Sequence, residues 1–396
     1  MKFMVESDYT RLVTKLINDD SKLDEIERLN NVIKSWEIQL NNESFPIFKF
    51  IIEQFRFYSE KKSISTIKSI NNGVSFFKDP NAVYVPFRTE NRSQSSIHLF
   101  SVLNLGLPLN SNNTEMEKTS SVLKEFSETR LLYRDLRKGN GGNNSGSTIL
   151  SRIEELNDKI LETEAMIQEL EQEKITIVEL FKSPDYITGI QFKHDEIKKR
   201  LIDEKMKIKE LEAEKNSIFN EFERNYRLRL SVDKIIVFDD FLCSGESIKT
   251  FIIENESYIK ALETTGIHIY FVVLETTKDG LEKIQNLLVE RKITNITLLK
   301  GEVSLDITEL IKQSFKIDLF YQEQDRITSE FNLGKKKYFP DTAIACFSTS
   351  PNTNYLFLNK KGENSEGVEW LPLFERELKV SPSINKDKIK RWIDNV

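Results

Sequence analysis

Residues 235–248 read IIVFDDFLCSGESI. Four apolar residues run into two carboxylates, Asp239 and Asp240. A turn of small polar residues, Cys243-Ser244-Gly245-Glu246-Ser247, follows, and a helix begins. An apolar run closed by turn residues predicts a strand buried on both faces, as in a parallel sheet. At the carboxyl end of such a strand, side chains enter the crevice where open α/β sheets bind ligands. Two adjacent carboxylates accept hydrogen bonds from sugar hydroxyls, or hold Mg2+ directly or through water. The turn opens a helix whose first N–H groups lack intrahelical partners, so it suits a phosphate. Gly245 lets the backbone approach an anion or take a positive φ. Acids for a diol beside a cradle for a phosphate describe a ribose 5-phosphate site. A Walker B strand is an alternative, but no G-x-x-x-x-G-K-[ST] occurs in the chain. A phosphoacceptor aspartate and acids that simply cap the next helix are two others.

Outward from this stretch, strand and helix alternate. KIIVF (234–238), IHIYFVVLE (267–275) and ITNITLLKG (293–301) read as strands, with helices from Ser247 to about Ala261 and over 278–291. Upstream, AVYVPF (82–87) reads as a strand, RTENRSQSS (88–96) as a polar loop and IHLFSVLNL as a helix. Residues 1–78 carry a dense apolar stretch with helical returns and predict a helical cap. TAIACFS (342–348) is a further strand candidate, and VEWLPLF (368–374) a closing segment. The expected domain order is a cap (1–78), the first part of an α/β domain (79–138), an insertion (148–226), the second part (227–330) and a C-terminal extension completing it (331–396).

The insertion follows GNGGNNSGS (139–147), a linker by composition. Ile149, Ile153, Leu156, Ile160, Thr163, Ile167, Leu170, Lys174, Ile177 and Phe181 alternate four and three apart. After SPDYITG (183–189) the rhythm returns as Ile190, His194, Ile197, Leu201, Glu204, Ile208, Leu211, Lys215, Ile218 and Phe222. Two heptad helices joined by a Pro/Gly turn predict an antiparallel coiled-coil hairpin, each arm about 50 Å long at ~1.5 Å per residue. His194 falls on the seam, where one imidazole sets register and makes no metal site.

Composition limits the classes. The chain has 396 residues, 39% hydrophobic and 30% charged, with two cysteines, Cys243 and Cys346, too few for a disulfide framework. No apolar run approaches the ~18 residues of a membrane span. A cytoplasmic protein is expected. Residues 147–226 hold nineteen acids and thirteen bases, whereas the rest of the chain balances. The net charge of −6 therefore belongs to the arm and does not describe the partner of the α/β body.

The 235–248 stretch resembles the phosphoribosyl pyrophosphate (PRPP) motif of type I phosphoribosyltransferases: four apolar residues, two acids, three apolar or small residues, Thr/Ser-Gly, any residue, Thr/Ser. The resemblance implies that Asp239 and Asp240 hold ribose hydroxyls and Mg2+ at the reacting sugar. Cys243, Ser244, Gly245, Glu246 and Ser247 would then hold the 5-phosphate. Cys243 stands where Thr or Ser is commoner, and Glu246 places an anion beside a phosphate. RTENRSQSS occupies the place of a pyrophosphate loop, with Arg88, Arg92, Ser93, Ser95 and Ser96 as its contacts. Glu275-Thr276-Thr277 falls where the nitrogenous acceptor is met.

SWEIQL (35–40), FRFYS (55–59) and STSPNTNYLFLN…EWLPLFER (348–376) are similar to the phosphoribosyltransferase-like proteins of bacterial conflict systems, PRTase-CE. In that resemblance Asn352, Asn354 and Arg376 meet a base or acceptor, or else serve turns and ion pairs. It implies an effector of anti-phage defence that binds PRPP or a related ribose 5-phosphate or nucleotide. If active, it transfers or cleaves at ribose C1, as a glycosyltransferase does. Its partners would be other components of a defence complex reached through the arm, a reverse transcriptase or nucleic-acid assembly among them, and a homo-oligomer is compatible. In chain order the arm stands where type I enzymes carry a loop that closes over the substrate. It would replace that lid or transmit a partner's presence. The alternative is a non-catalytic nucleotide or PRPP sensor, or a scaffold, signalling through the arm.

Overall fold

The computed structural model describes residues 6–17, 23–71, 77, 79–89, 94–106, 117–138, 148–180, 187–304, 306–334, 342–346 and 354–374. The chain divides into two units. One is Met1–Val122, Asp233–Glu263 and Ile267–Val396; the other is Leu123–Val232 with Thr264–Gly266. In chain order the elements begin with α1 (Glu6–Ile17), α2 (Leu23–Gln39), α3 (Phe45–Gln54), β1 (Arg56–Tyr58), α4 (Glu60–Asn71), β2 (Ala82–Pro86) and α5 (Gln94–Gly106). Next come α6 (Thr119–Lys138), α7 (Thr148–Leu180), α8 (Ile187–Asn225), α9 (Arg227–Ser231), β3 (Lys234–Leu242), α10 (Glu246–Glu254) and α11 (Glu256–Thr264). The remainder are β4 (His268–Thr276), α12 (Lys278–Glu290), β5 (Ile296–Val303), α13 (Ile307–Ser314), α14 (Ile317–Glu330), β6 (Ile344–Cys346), α15 (Leu356–Asn359), β7 (Gly362–Glu363) and β8 (Glu369–Trp370).

The first unit is an α/β fold built on a parallel four-stranded sheet in the order β2-β3-β4-β5. Ile235 to Phe238 are wholly buried, because both faces of the sheet are covered. Phe100 and Leu103 of α5 and Ile67 of α4 pack on Ile236, Phe238, Val272 and Leu274. On the opposite face Phe87, Phe251 of α10 and Phe271 meet edge-on, with centroids 5.4 to 6.0 Å apart. Pro86, which has no N–H to give a ladder, ends the edge strand β2.

Three local expectations change. The strand expected over 234–238 continues to Leu242, since β4 runs on beside it to Thr276 and pairing persists past the acids. The helix expected from Ser247 to Ala261 breaks at Asn255, whose buried side-chain amide donates to the Phe251 carbonyl at 2.8 Å and ends α10. FRFYS is strand, not helix: Arg56–Tyr58 pairs in parallel with Ile344–Cys346, apart from the main sheet. Its alternation decides this. Phe55 and Phe57 both stack on Phe374, at 5.1 and 5.0 Å, while Arg56 and Tyr58 both bond Glu275.

The N-terminal helices share a core with the C-terminal segments. Trp36, Phe48 and Ile51 pack with Phe320, Phe331, Phe357, Trp370 and Leu373. Trp36 lies stacked on Trp370 at 5.1 Å, and each indole N–H donates to a backbone carbonyl, of Leu371 and Phe357 respectively. Asn354 is consumed in this region. Its amide accepts from Thr342 Oγ1 and Ile344 N and donates to Ile344 O, so it holds β6 in place rather than facing a ligand.

In the second unit α7 and α8 run antiparallel. The cross-helix bonds Arg152–Glu214, Lys215–Asn157, Lys205–Glu171 and Lys193–Glu173 climb one helix broadly as they descend the other. Ile167, Leu170, Ile177, Ile197 and Leu201 form the buried seam, and Ile153 with Phe222 joins Leu136 of α6 at one end. His194 sits half-buried on the seam beside Asp195. No described helix is long and apolar enough to cross a membrane.

Candidate functional site

The end of β3 bends its acids back onto its own backbone. Asp239 Oδ1 accepts from the Asp240 amide at 3.0 Å, and Asp240 Oδ1 from the Phe241 amide at 2.9 Å. Asp239 is only 7% exposed, and Ser96 of α5 donates to its Oδ1 at 2.6 Å. Burial above all, and then the neighbouring Asp240 charge, push the Asp239 carboxyl well above the usual carboxylate range; the Ser96 hydroxyl works against that shift. Two carboxyls this close resist joint ionisation unless a donor or a cation joins them. Ser96→Ala is expected to cost about 1–2 kcal/mol in urea unfolding, because a buried charged acceptor loses one of its donors.

The turn after the acids is held from α12. Thr277, the N-cap of that helix, accepts from Gly280 N at 3.0 Å and donates to the Cys243 carbonyl; Thr276 Oγ1 donates to the Leu242 carbonyl at 3.0 Å. Gly245, at φ +74°, is the N-cap of α10 and makes no side-chain cap bond of its own. Glu246, an unfavourable anion if the turn were to take a phosphate, bonds Lys283 Nζ at 2.6 Å. That bond holds its carboxyl below the usual range. Ser244 and Ser247 are half-buried at the rim of the turn, and the Cys243 thiol is buried.

The remaining sequence candidates fare differently. Ser96 is brought to the acid pair. The Arg88 backbone is tied to Thr119, whose hydroxyl accepts from Arg88 N at 2.8 Å. Ser95 lies in the first turn of α5, with its side chain outside the described residues, as are Arg92, Ser93, Asn352 and Arg376. Thr276 and Thr277 spend their hydroxyls on the turn. Glu275 is fully buried and accepts from Tyr58 Oη at 2.7 Å, Arg56 Nη1 at 3.2 Å and Ser304 Oγ at 2.5 Å. Arg56 also reaches Glu302 at 2.7 Å. Burial, then the Glu275 charge, raises the Tyr58 hydroxyl far above its usual range. Sequence reasoning missed Arg56, Tyr58, Ser304 and Lys283. Only the first two carried a signal, the period-two alternation of FRFY.

A family model described as PRTase-CE matches residues 33–376. The chain belongs to the PRTase-CE family. No curated protein and no solved structure matches it. Membership makes the protein phosphoribosyltransferase-like, and the PRTase-CE match takes in the sheet, the acid pair, both long helices and most of the shared N- and C-terminal core.

Proposed function

We propose that the Asp239–Ser247 turn binds PRPP, or a related ribose 5-phosphate or nucleotide, and that the protein is a type I phosphoribosyltransferase-like effector of a bacterial anti-phage system. The observation that carries this is the meeting of Ser96 with Asp239. It joins the first turn of α5, where the segment expected as a polar loop after β2 is already helix, to the acid pair, and the turn beside it is shaped by Gly245 at positive φ with Glu246 neutralised by Lys283. In this reading Asp239 and Asp240 take the ribose hydroxyls. The first turn of α10, with Cys243 to Ser247, takes the 5-phosphate, and Arg88, Ser95 and Ser96 lie on the pyrophosphate side.

Mg2+ fits this donor set. Among the described residues no three His, Cys, Asp or Glu side chains form a metal cage. Mg2+ is commonly held by one or two carboxylates together with substrate phosphates. Asp239 and Asp240 would hold it, and it would supply charge neutralisation at the phosphates. The chain's own residues position the sugar and order the 5-phosphate for displacement at C1. The hairpin over 148–226 reads as an inserted coiled coil through which the protein meets other components of a cytoplasmic defence complex, a reverse transcriptase or nucleic-acid assembly among them.

A sensor reading has one observation of its own. Glu275, the fully buried carboxylate beside the turn, is engaged by Arg56, Tyr58 and Ser304, which disfavours it as a base for an acceptor. Thermal unfolding with PRPP and Mg2+, and a pyrophosphate-release assay, test both readings. Stabilisation with pyrophosphate release supports the enzyme, stabilisation alone the sensor, and no stabilisation by PRPP, ribose 5-phosphate or nucleotides removes the ligand reading.

A further inference from the structure

Lys62, in the first turn of α4, is a half-buried cation without an anion. Among the described residues its ammonium has no carboxylate partner, and it stands 4.4 Å from the centroid of the Tyr58 ring. Lys234 and Lys283, also half-buried, each close on a carboxylate at 2.6 Å. An ammonium drawn partly out of water loses hydration that an aromatic face returns only in part. Lys62 therefore retains capacity for an anion.

The ring beneath it is fixed by the strand that carries the acid pair. Tyr58 is fully buried, donates to Glu275 Oε2 at 2.7 Å and meets Phe241 edge-on at 5.8 Å. Phe241 follows the acid pair directly, lies opposite Glu275 in the β3–β4 ladder and gives its amide to Asp240. The side of the sheet is equally defined. Tyr58, Phe241, Ile64 and Ile67 of α4, and Phe100 and Leu103 of α5, form one cluster on one face. From α5 on that face Ser96 reaches Asp239. The helix α10, whose first turn is the phosphate cradle of the proposed function, packs on the opposite face through Phe251.

We propose that Lys62 binds the diphosphate on C1 of PRPP. In a ribose the 2- and 3-hydroxyls lie between C1 and C4. A sugar with its hydroxyls on the acid pair and its 5-phosphate at α10 therefore carries its C1 substituent toward the α4–α5 face. An ammonium on a flexible stem suits a diphosphate there as a point charge. The inference rests on the ligand reading of the Asp239–Ser247 turn. It adds a residue from α4, outside the 88–96 segment.

Calorimetric titration of the full chain in Mg2+ with PRPP, inorganic pyrophosphate and ribose 5-phosphate in turn tests it. Lys62→Met, which keeps an aliphatic stem on Tyr58, is expected to weaken PRPP and pyrophosphate about tenfold or more. Ribose 5-phosphate affinity and helicity are expected to stay unchanged. Lys62→Arg, which keeps a cation over the ring, is expected to recover most of the PRPP affinity. Undiminished PRPP binding by Lys62→Met overturns the inference and leaves the ligand reading standing. An equal loss for ribose 5-phosphate overturns the placement at C1. A wild-type chain that binds neither PRPP nor pyrophosphate overturns the inference outright, and one that binds none of the three removes the ligand reading as well.

Discussion

Asp239→Asn is expected to raise the unfolding temperature of the ligand-free protein at neutral pH while abolishing its stabilisation by PRPP and Mg2+. The asparagine keeps the acceptor that serves Ser96 and the Asp240 amide, and its new amide donor can face the Asp240 carboxylate. It removes a charge that burial and a like neighbour both oppose. The gain is read as a higher midpoint of thermal unfolding at neutral pH. The pH dependence has a definite sign. In the folded protein the Asp239 value is raised, so the folded state binds this proton more tightly than the unfolded state does. Wild type is penalised most above the raised value and regains stability as pH falls through it toward about 4, the ordinary value. Thermal unfolding across that range should show the advantage of the variant shrinking on acidification. A variant less stable than wild type at neutral pH would mean that the ligand-free protein gains from the charge. Stability given up at such a position is a familiar accompaniment of a ligand site.

Gly280→Ala is expected to dislodge the turn after the acids and to eliminate ligand stabilisation. A β-carbon at Gly280 would lie 2.2 Å from the Cys243 carbonyl oxygen and 2.8 Å from that of Leu242. Both contacts are backbone, so no side chain can swing aside. Either α12 or the turn must move, at a cost of about 3 kcal/mol. Gly245→Ala should be milder, about 1–2 kcal/mol, since it combines a left-handed φ of +74° with a 3.1 Å approach to the Gly280 carbonyl. Urea unfolding ranks the two, and the order reverses if conformation rather than contact governs the turn.

The site was legible where its chemistry is contiguous. The acid pair, the glycine turn and the following helix lie within fourteen residues, and a run of buried apolar residues announces a central parallel strand wherever it occurs. The heptad rhythm similarly marked the two long helices, because a seam must repeat to stay buried. FRFYS misled because helix-like aromatic spacing on either side outweighed a three-residue alternation. Asn354, a candidate for a ligand, became a clamp on Ile344 because its amide found three backbone and hydroxyl partners in reach.

What the sequence by itself determined is the local order of strand, acids, turn and helix and the amphipathic seam of the arm. Both follow from backbone periodicity and from burial, which neighbouring residues encode. Tertiary structure decided who meets the charges. Ser96 reaches Asp239 across 143 positions, Lys283 neutralises Glu246 across 37, and Arg56 and Tyr58 enclose Glu275 across 219 and 217. A carboxylate can be read from its own letter, but its partners, and with them its charge, depend on which distant elements the fold brings within about 3 Å.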